Sequence, residues 1–334
     1  MLSNHTTLLG YKNSDSDKRS KETRLNPKID KKTLFKTDIC WRNVAILGYY
    51  HLAGLYGFYL VFTSAKVATT IFAIFLYIVG DLGILAGSHR LYAHRAYKAK
   101  WPLRLLLVIM DTIAFEGGVY QWAREHRVHH KFSETDADPH NATRGFFFSH
   151  MGWLLLKKHP DVTNKGKGVD MSDLLEDPIV RFQKRYYWPL LFVISFILPT
   201  FIPMRLWNET LSNAYHVAVM FRVVISHHSI WLVNSAAHAY GNKPYDRDIY
   251  PAENKIVSIL SMGEGWHNYH HTFPWDYKAS ELGFYKFNFA TAFIDFFALI
   301  GWAYDLKIVP QEMIEKRASR SGDGSHAKWG SKQE

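Results

Sequence analysis

Four nearly uncharged stretches, arranged as two close pairs, constrain this chain more than any other feature. Asn43 to Phe62 carries no Lys, Arg, Asp or Glu, and Val67 to Gly87 carries only Asp81. Each is about the ~20 residues that a membrane-spanning helix needs. Only Thr63 to Lys66 separates them, so the pair reads as a hairpin whose tip just emerges from the bilayer. Tyr187 to Pro203 and Ala214 to Ala237 bracket Met204 to Asn213 and form a second hairpin. Lipid offers the backbone no hydrogen-bond partners, so such segments are helical. The expected fold class is therefore an all-α integral membrane protein with four transmembrane helices in two hairpins, over residues 43–62, 67–87, 187–203 and 214–237. Leu103 to Phe115 and Phe289 to Tyr304 are shorter or interrupted by Asp111 and Asp295, which places them at the membrane surface.

The mean hydropathy of −0.17 conceals these stretches because strongly charged segments lie between them. Residues 1–42 form a basic segment with ten Lys and Arg, and residues 88–186 and 238–334 hold most of the rest. The hairpin tips hold only Lys66 and Arg205. By the positive-inside rule both termini and both long segments are expected in the cytosol, in a multi-pass protein of the endoplasmic reticulum. The N-terminal stretch is too polar for a cleaved signal peptide, so the first span doubles as the insertion signal. Residues 43–315 make one membrane domain, and residues 316–334, rich in Ser, Gly and Lys, are expected to be a flexible cytosolic tail. The net charge of +10 reads as a solvated face near anionic lipid. Nucleic acid is not an expected partner, since the basic residues form no recognition module. The single cysteine, Cys40, excludes an intramolecular disulfide and any CxxC metal site.

Eight of the 18 histidines crowd into tight spacings at the expected cytosolic ends of the apolar segments. They read HRLYAH from His89 to His94, HRVHH from His126 through His129 to His130, and HNYHH from His267 through His270 to His271. On a helix, positions i, i+3 and i+4 share a face, so each HxxHH is expected to aim three imidazoles at a common point. His89 and His94, five apart, fit that geometry less well. Imidazole suits Fe, Zn, Cu and Ni, and eight such nitrogens exceed what one ion accepts, so two metals are implied.

These strings, with HKFSETDADPHN, NSAAHAYG and GEGWHNYHHTFPWDY, resemble the membrane acyl-CoA desaturases, most of all the insect-type and stearoyl-CoA desaturase-like members, over about residues 41–310. The resemblance implies a cytosolic helical cap holding a histidine-rich di-iron site. Its ligands become His89, His94, His126, His129, His130, His238, His267, His270 and His271, with Asn234 reaching iron through water. The implied reaction is the O2-dependent conversion of a saturated long-chain fatty acyl-CoA to a cis-monounsaturated one, at carbon 9 or 11. No side-chain acid or base breaks an unactivated C–H bond, so a metal-based oxidant is required. Electrons are then expected from cytochrome b5 and its NADH-dependent reductase, as there is no GxGxxG motif for an internal nicotinamide site.

The resemblance further places Trp122 and Trp231 at the bend of an acyl tunnel and Tyr77 near its closed end. Arg124, Glu125, Lys157 and Lys158 become contacts to CoA. Ser88, Ile230 and Gly117-Gly118 depart from the vertebrate pattern at positions expected to touch substrate. Sequestering about a dozen methylenes at ~0.8 kcal/mol each supplies on the order of 10 kcal/mol, so chain depth sets where the double bond enters. A hydroxylase or conjugase on the same scaffold is the alternative, and a histidine-rich metal transporter a distant one. His5, His51, His140, His150, His159, His216, His227, His228 and His326 lie outside the boxes and are assigned no iron; His227 and His228 receive no role.

Overall fold

The computed structural model describes residues 38–281 and 287–330. Most of the basic N-terminal segment, including His5, therefore lies outside the described residues. Among the described residues four helices are long and apolar enough to cross a membrane: α1 (Trp41–Thr63), α2 (Val67–Ala93), and, after the shorter α3 (Trp101–Ala114) and α4 (Val119–Phe132), α5 (Pro178–Leu206) and α6 (Leu211–Ala239). All four outrun the expected spans, α5 most of all. Asp177 caps its first turn by accepting from the backbone of Ile179 at 2.9 Å, and Pro178 occupies the first helical position, where a missing N–H costs nothing. The helix kinks at Tyr186, just ahead of Pro189.

The two hairpins are tied at their tips. Glu209 accepts from the Lys66 backbone at 2.9 Å, from Thr69 Oγ1 at 2.5 Å and from Asn213 Nδ2 at 3.0 Å. Inside the bundle Asp81 accepts from Ser226 and, at 2.7 Å, from Ser229, so the one acid of the second span is fully hydrogen-bonded. Close packing demands glycine at two contacts. A Cβ on Gly57 would meet the His216 carbonyl at 2.0 Å, and one on Gly83 would meet the Asp111 nitrogen at 2.2 Å.

The last part of α2, Gly83–Ala93, is wound as a wider π-type helix, closed at its end by His94 N donating to His89 O at 3.0 Å. At the cap end of the bundle, α3 buries Leu103, Leu107 and Met110 and turns Trp101, Leu105 and Ile109 outward. The rest of the cap is α4, α7 (Lys255–Leu260), α8 (His267–Thr272), α9 (Phe289–Leu299) and α10 (Gln311–Ser321), with shorter turns between. A two-residue antiparallel pair, β1 (Lys98–Ala99) and β2 (Ala303–Tyr304), ties the α2 exit to the segment after α9.

One expectation is corrected. Of the tail expected to be flexible over 316–334, residues 316–330 are packed onto the cap. Arg247 N donates to Ser321 O at 2.9 Å, Lys243 N to Asp323 Oδ2 at 2.6 Å, and His326 Nε2 lies 2.7 Å from Glu281 Oε2. Trp329 packs against the buried Tyr245, Tyr269 and Phe273. Serine and glycine here serve as turn residues over a docked helix, and composition alone does not distinguish that use from a loose end.

Candidate metal centre

The eight histidines of the three boxes and His238 of the fourth span meet in the cap, in two sets. The first holds His89, His94, His126 and His270; the second holds His129, His238, His267 and His271. His130 joins the first, its Nε2 lying 3.0 Å from His270 Nε2. The expectation that each HxxHH converges on one point is corrected by this partition. In HRVHH the i,i+4 pair, His126 and His130, serves the first set and His129 the second. In HNYHH the i,i+4 pair, His267 and His271, serves the second set and His270 the first. Positions four apart differ by about 40° around a helix and positions three apart by about 60° in the opposite sense, so each box straddles two sites. The awkward five-residue spacing of HRLYAH is resolved by the π-type turns, which bring His89 and His94 to 4.9 Å between ring centroids.

Each imidazole points the same nitrogen inward. Nε2 approaches Nε2 at 3.0 Å for His89 and His270, 2.8 Å for His94 and His126, 2.9 Å for His267 and His238, and 3.1 Å for His271 and His267. On three of the rings the outward nitrogen is held by a carboxylate. His89 Nδ1 lies 3.1 Å from Glu264, His129 Nδ1 2.9 Å from Asp138, and His238 Nδ1 2.7 Å from Glu134. Such carboxylate–histidine pairs fix the tautomer and leave the Nε2 lone pair free for a metal. Burial holds His126, His130, His267, His270 and His271 well below the usual histidine range, so these rings are neutral. Neutral lone pairs facing one another repel unless a cation lies between them, and this donor set therefore fits two imidazole-ligated metal ions.

Glu264, Glu134 and Asp138 were missed as functional residues in the sequence, although all three lie inside the histidine-bearing strings. Burial pushes the Glu264 carboxyl up, but Arg90 at 2.7 Å and His89 outweigh it and hold it down at about 2. Arg90 is itself buried and also donates to Tyr277 O, Thr291 and Asn288, which stitches α2 to the cap behind the first set.

A cavity of about 960 Å³ opens beside the centre, at the upper end of the ~300–1,000 Å³ usual for ligand sites. His126, Asn234, Trp122, Trp231, Ile230 and Gly117-Gly118 line it, as do Arg124, Glu125 and Lys158. Trp122 stacks on His126 at 4.8 Å, which joins the cavity wall to the first set. Arg42, Lys184 and Arg185 also line it and were not singled out in the sequence. Three expected substrate contacts stand elsewhere. Lys157 is exposed and pairs with Asp38 at 2.9 Å, whereas Lys158 pairs with Glu125. The Ser88 hydroxyl is buried and donates to Asp111 at 2.5 Å, and the Tyr77 hydroxyl donates to Leu260 O at 2.7 Å.

The family model described as fatty acid desaturase matches residues 65–288. The chain is 64% identical over 296 residues to an acyl-CoA Delta-9 desaturase of Acheta domesticus, covering 89% of this chain and 82% of that one. It is 54% identical over 308 residues to an acyl-CoA Delta(11) desaturase of Spodoptera littoralis, covering 92% and 90%. It is also 54% identical over 291 residues to a (11Z)-hexadec-11-enoyl-CoA conjugase of Bombyx mori, covering 87% and 88%.

Proposed function

The chain belongs to the fatty acid desaturase family, and on that footing we propose that its two histidine sets hold two irons which desaturate a long-chain acyl-CoA at carbon 9. It is an oxidoreductase, an acyl-CoA desaturase in a multi-pass membrane protein. The observation that carries the reading of its centre is the convergence of nine histidines into two sets, the first of which reaches through His126 a cavity lined by Trp122, Trp231, Arg124 and Lys158. When bound, iron supplies the oxidising power by which O2, two electrons and two protons are converted to water as two hydrogens leave adjacent methylenes.

The residues of the chain do the rest. Arg124 and Lys158 attract the CoA phosphates, Lys158 as a point charge and Arg124 as a fork. Glu125 holds Lys158 in place at that mouth. Trp122, Ile230 and Trp231 fix the depth and course of the acyl chain and exclude water from it. Asn234, one turn before His238 on α6, holds a water at the second set. Carbon 9 is favoured over carbon 11 because the Delta-9 relative is more similar to this chain than the Delta(11) relative is. The cap faces the cytosol at the endoplasmic reticulum, where cytochrome b5 and its NADH-dependent reductase deliver the electrons.

Expression in yeast lacking its own acyl-CoA desaturase tests this reading. Cells fed saturated acids of several lengths should accumulate monounsaturated acids with the double bond at carbon 9, located by gas chromatography–mass spectrometry. A double bond at carbon 11 would replace the regiochemistry. Hydroxylated acids, or no product from iron-loaded protein, would overturn the reaction.

A further inference from the structure

The histidines without a role in the metal sets are not scattered. Four of them, His51 on α1, His150 in the segment between α4 and α5, and His227 and His228 on α6, surround the indole of Trp231. Their ring centroids lie 6.3, 5.9, 5.1 and 5.3 Å from it respectively. Trp231 is 4% exposed and lines the cavity that His126 and Asn234 also line.

Three of these imidazoles are linked in a row, and the partners at its two ends fix the direction of the end bonds. The Leu47 carbonyl can only accept, so His51 Nδ1 donates to it, at 2.6 Å. His51 Nε2 then lies 3.1 Å from His228 Nε2, and His228 Nδ1 lies 2.9 Å from His150 Nε2. Ser235 Oγ donates its one proton to the Trp231 carbonyl at 2.8 Å, so His150 Nδ1 donates to that hydroxyl at 2.9 Å. His227 follows the same logic. Its Nε2 donates to the Phe115 carbonyl at 3.1 Å, so its Nδ1 accepts from the Tyr50 hydroxyl at 3.2 Å. The end bonds spend the single N–H of a neutral His51 and of a neutral His150, so a neutral His228 donates in one of its two links, while His227 is satisfied as a neutral ring. Because His228 uses opposite nitrogens for its two neighbours, the three rings do not converge on a point, and the arrangement is a hydrogen-bonded chain rather than a third metal site.

We propose that His51, His150, His227 and His228 form an imidazole brace that fixes the Trp231 indole against the cavity, making them positioning residues for where along the acyl chain the double bond enters. Aromatic contact alone lets a ring slide, whereas directional hydrogen bonds from three elements set where each wall of the cage stands. His227 braces a second wall as well. The Phe115 carbonyl that it holds belongs to a residue in the left-handed region, with φ of 66°, at the turn that leads into Gly117 and Gly118 of the cavity lining. The brace rests on the proposed desaturase reading, since it acts on the course of the chain and not on the ligands.

The test uses the full-length chain in desaturase-deficient yeast fed equal amounts of C16 and C18 saturated acids. His228→Leu breaks both of its links and His228→Gln retains a donor and an acceptor. Iron per protein is measured on purified material by mass spectrometry alongside the product analysis. His228→Leu should spread the double bond over neighbouring positions, or change the C16 to C18 product ratio by about tenfold, the low end of what one methylene of misfit changes. Iron should stay at the wild-type level, and His228→Gln should restore the wild-type pattern. If His228→Leu does not accumulate, His51→Phe is read in the same way. Unchanged bond position and chain-length ratio, whatever the total yield, would overturn the brace. Loss of a metal other than the two of the cap would overturn it in favour of a metal site. Absence of alkene from the wild type would instead remove the desaturase reading itself.

Discussion

Two groups of histidines in one bundle use the same side chain in opposite ways. In the cap, each ring turns Nε2 inward and, for His89, His129 and His238, gives Nδ1 to a carboxylate. Around Trp231 no carboxylate is bonded to a ring, and both nitrogens of His51, His228 and His150 are spent on carbonyl, hydroxyl or imidazole. The first arrangement leaves lone pairs facing one another and needs cations. The second spends its nitrogens on one another and on neighbouring carbonyl and hydroxyl groups. What decides between ligand and brace is thus the partner of the second nitrogen, a lesson that a histidine count cannot teach.

The sharpest way to break the comparison is to remove one ring from each group. His267→Ala and His130→Ala each delete an Nε2 that faces others in the cap, so iron content and alkene formation should both fall to background. His228→Ala should keep its iron. Retained activity in either cap variant would sink the assignment of the ligands. A smaller effect is expected from the carboxylates. Glu264→Gln keeps the shape but removes the charge that orients His89 and compensates Arg90, so metal affinity should weaken by about 10- to 100-fold, read by chelator competition on purified protein. Glu134→Gln should do the same through His238. Unaltered affinity in both would show that these acids only balance buried charge.

Much of this was legible in the sequence, and the exceptions have physical causes. Four nearly uncharged stretches of spanning length fold as four helices long enough to cross a membrane, since lipid leaves the backbone no alternative to a helix. The box spacings point to the ligands, but their partition between two sets follows from the difference between about 40° and 60° of rotation around α4 and α8, which a shared-face argument blurs. The pairing of His89 with His94 depends on π-type winding, for which residue identity gives no spacing rule. Lys157 and Lys158 are neighbours in sequence, yet an extended backbone after Leu156 sends them to different partners.

That divergence gives a third contrast, between a lysine at the cavity and one outside it. Lys158→Ala should raise the KM for acyl-CoA about three- to tenfold, on the order of 1 kcal/mol, with kcat little changed. Lys157→Ala, which loses only an exposed pair with Asp38, should leave both within error. Equal effects in steady-state assays with purified protein would place the CoA mouth elsewhere.

The smallest expected effect concerns protons. Burial pushes the His150 ring below its usual 6.5; the hydrogen bond with the Trp231 backbone works upward, and His51 lowers it further. Between that lowered value and 6.5 the unfolded chain binds a proton that the folded chain refuses, so stability rises with pH across the window. It is present in full above 6.5 and lost as pH falls through 6.5 toward the folded value. Acid also expels metal by protonating the cap ligands, so the wild type should lose thermal stability from two sources between about pH 7 and pH 5. His150→Gln removes only the brace contribution, because glutamine can donate and accept but does not titrate. The difference between the two acid limbs, followed by unfolding midpoints at matched iron content, should be a slope smaller by less than one proton. Coincident limbs would mean that His150 is protonated in the folded chain, and burial would then not govern its titration.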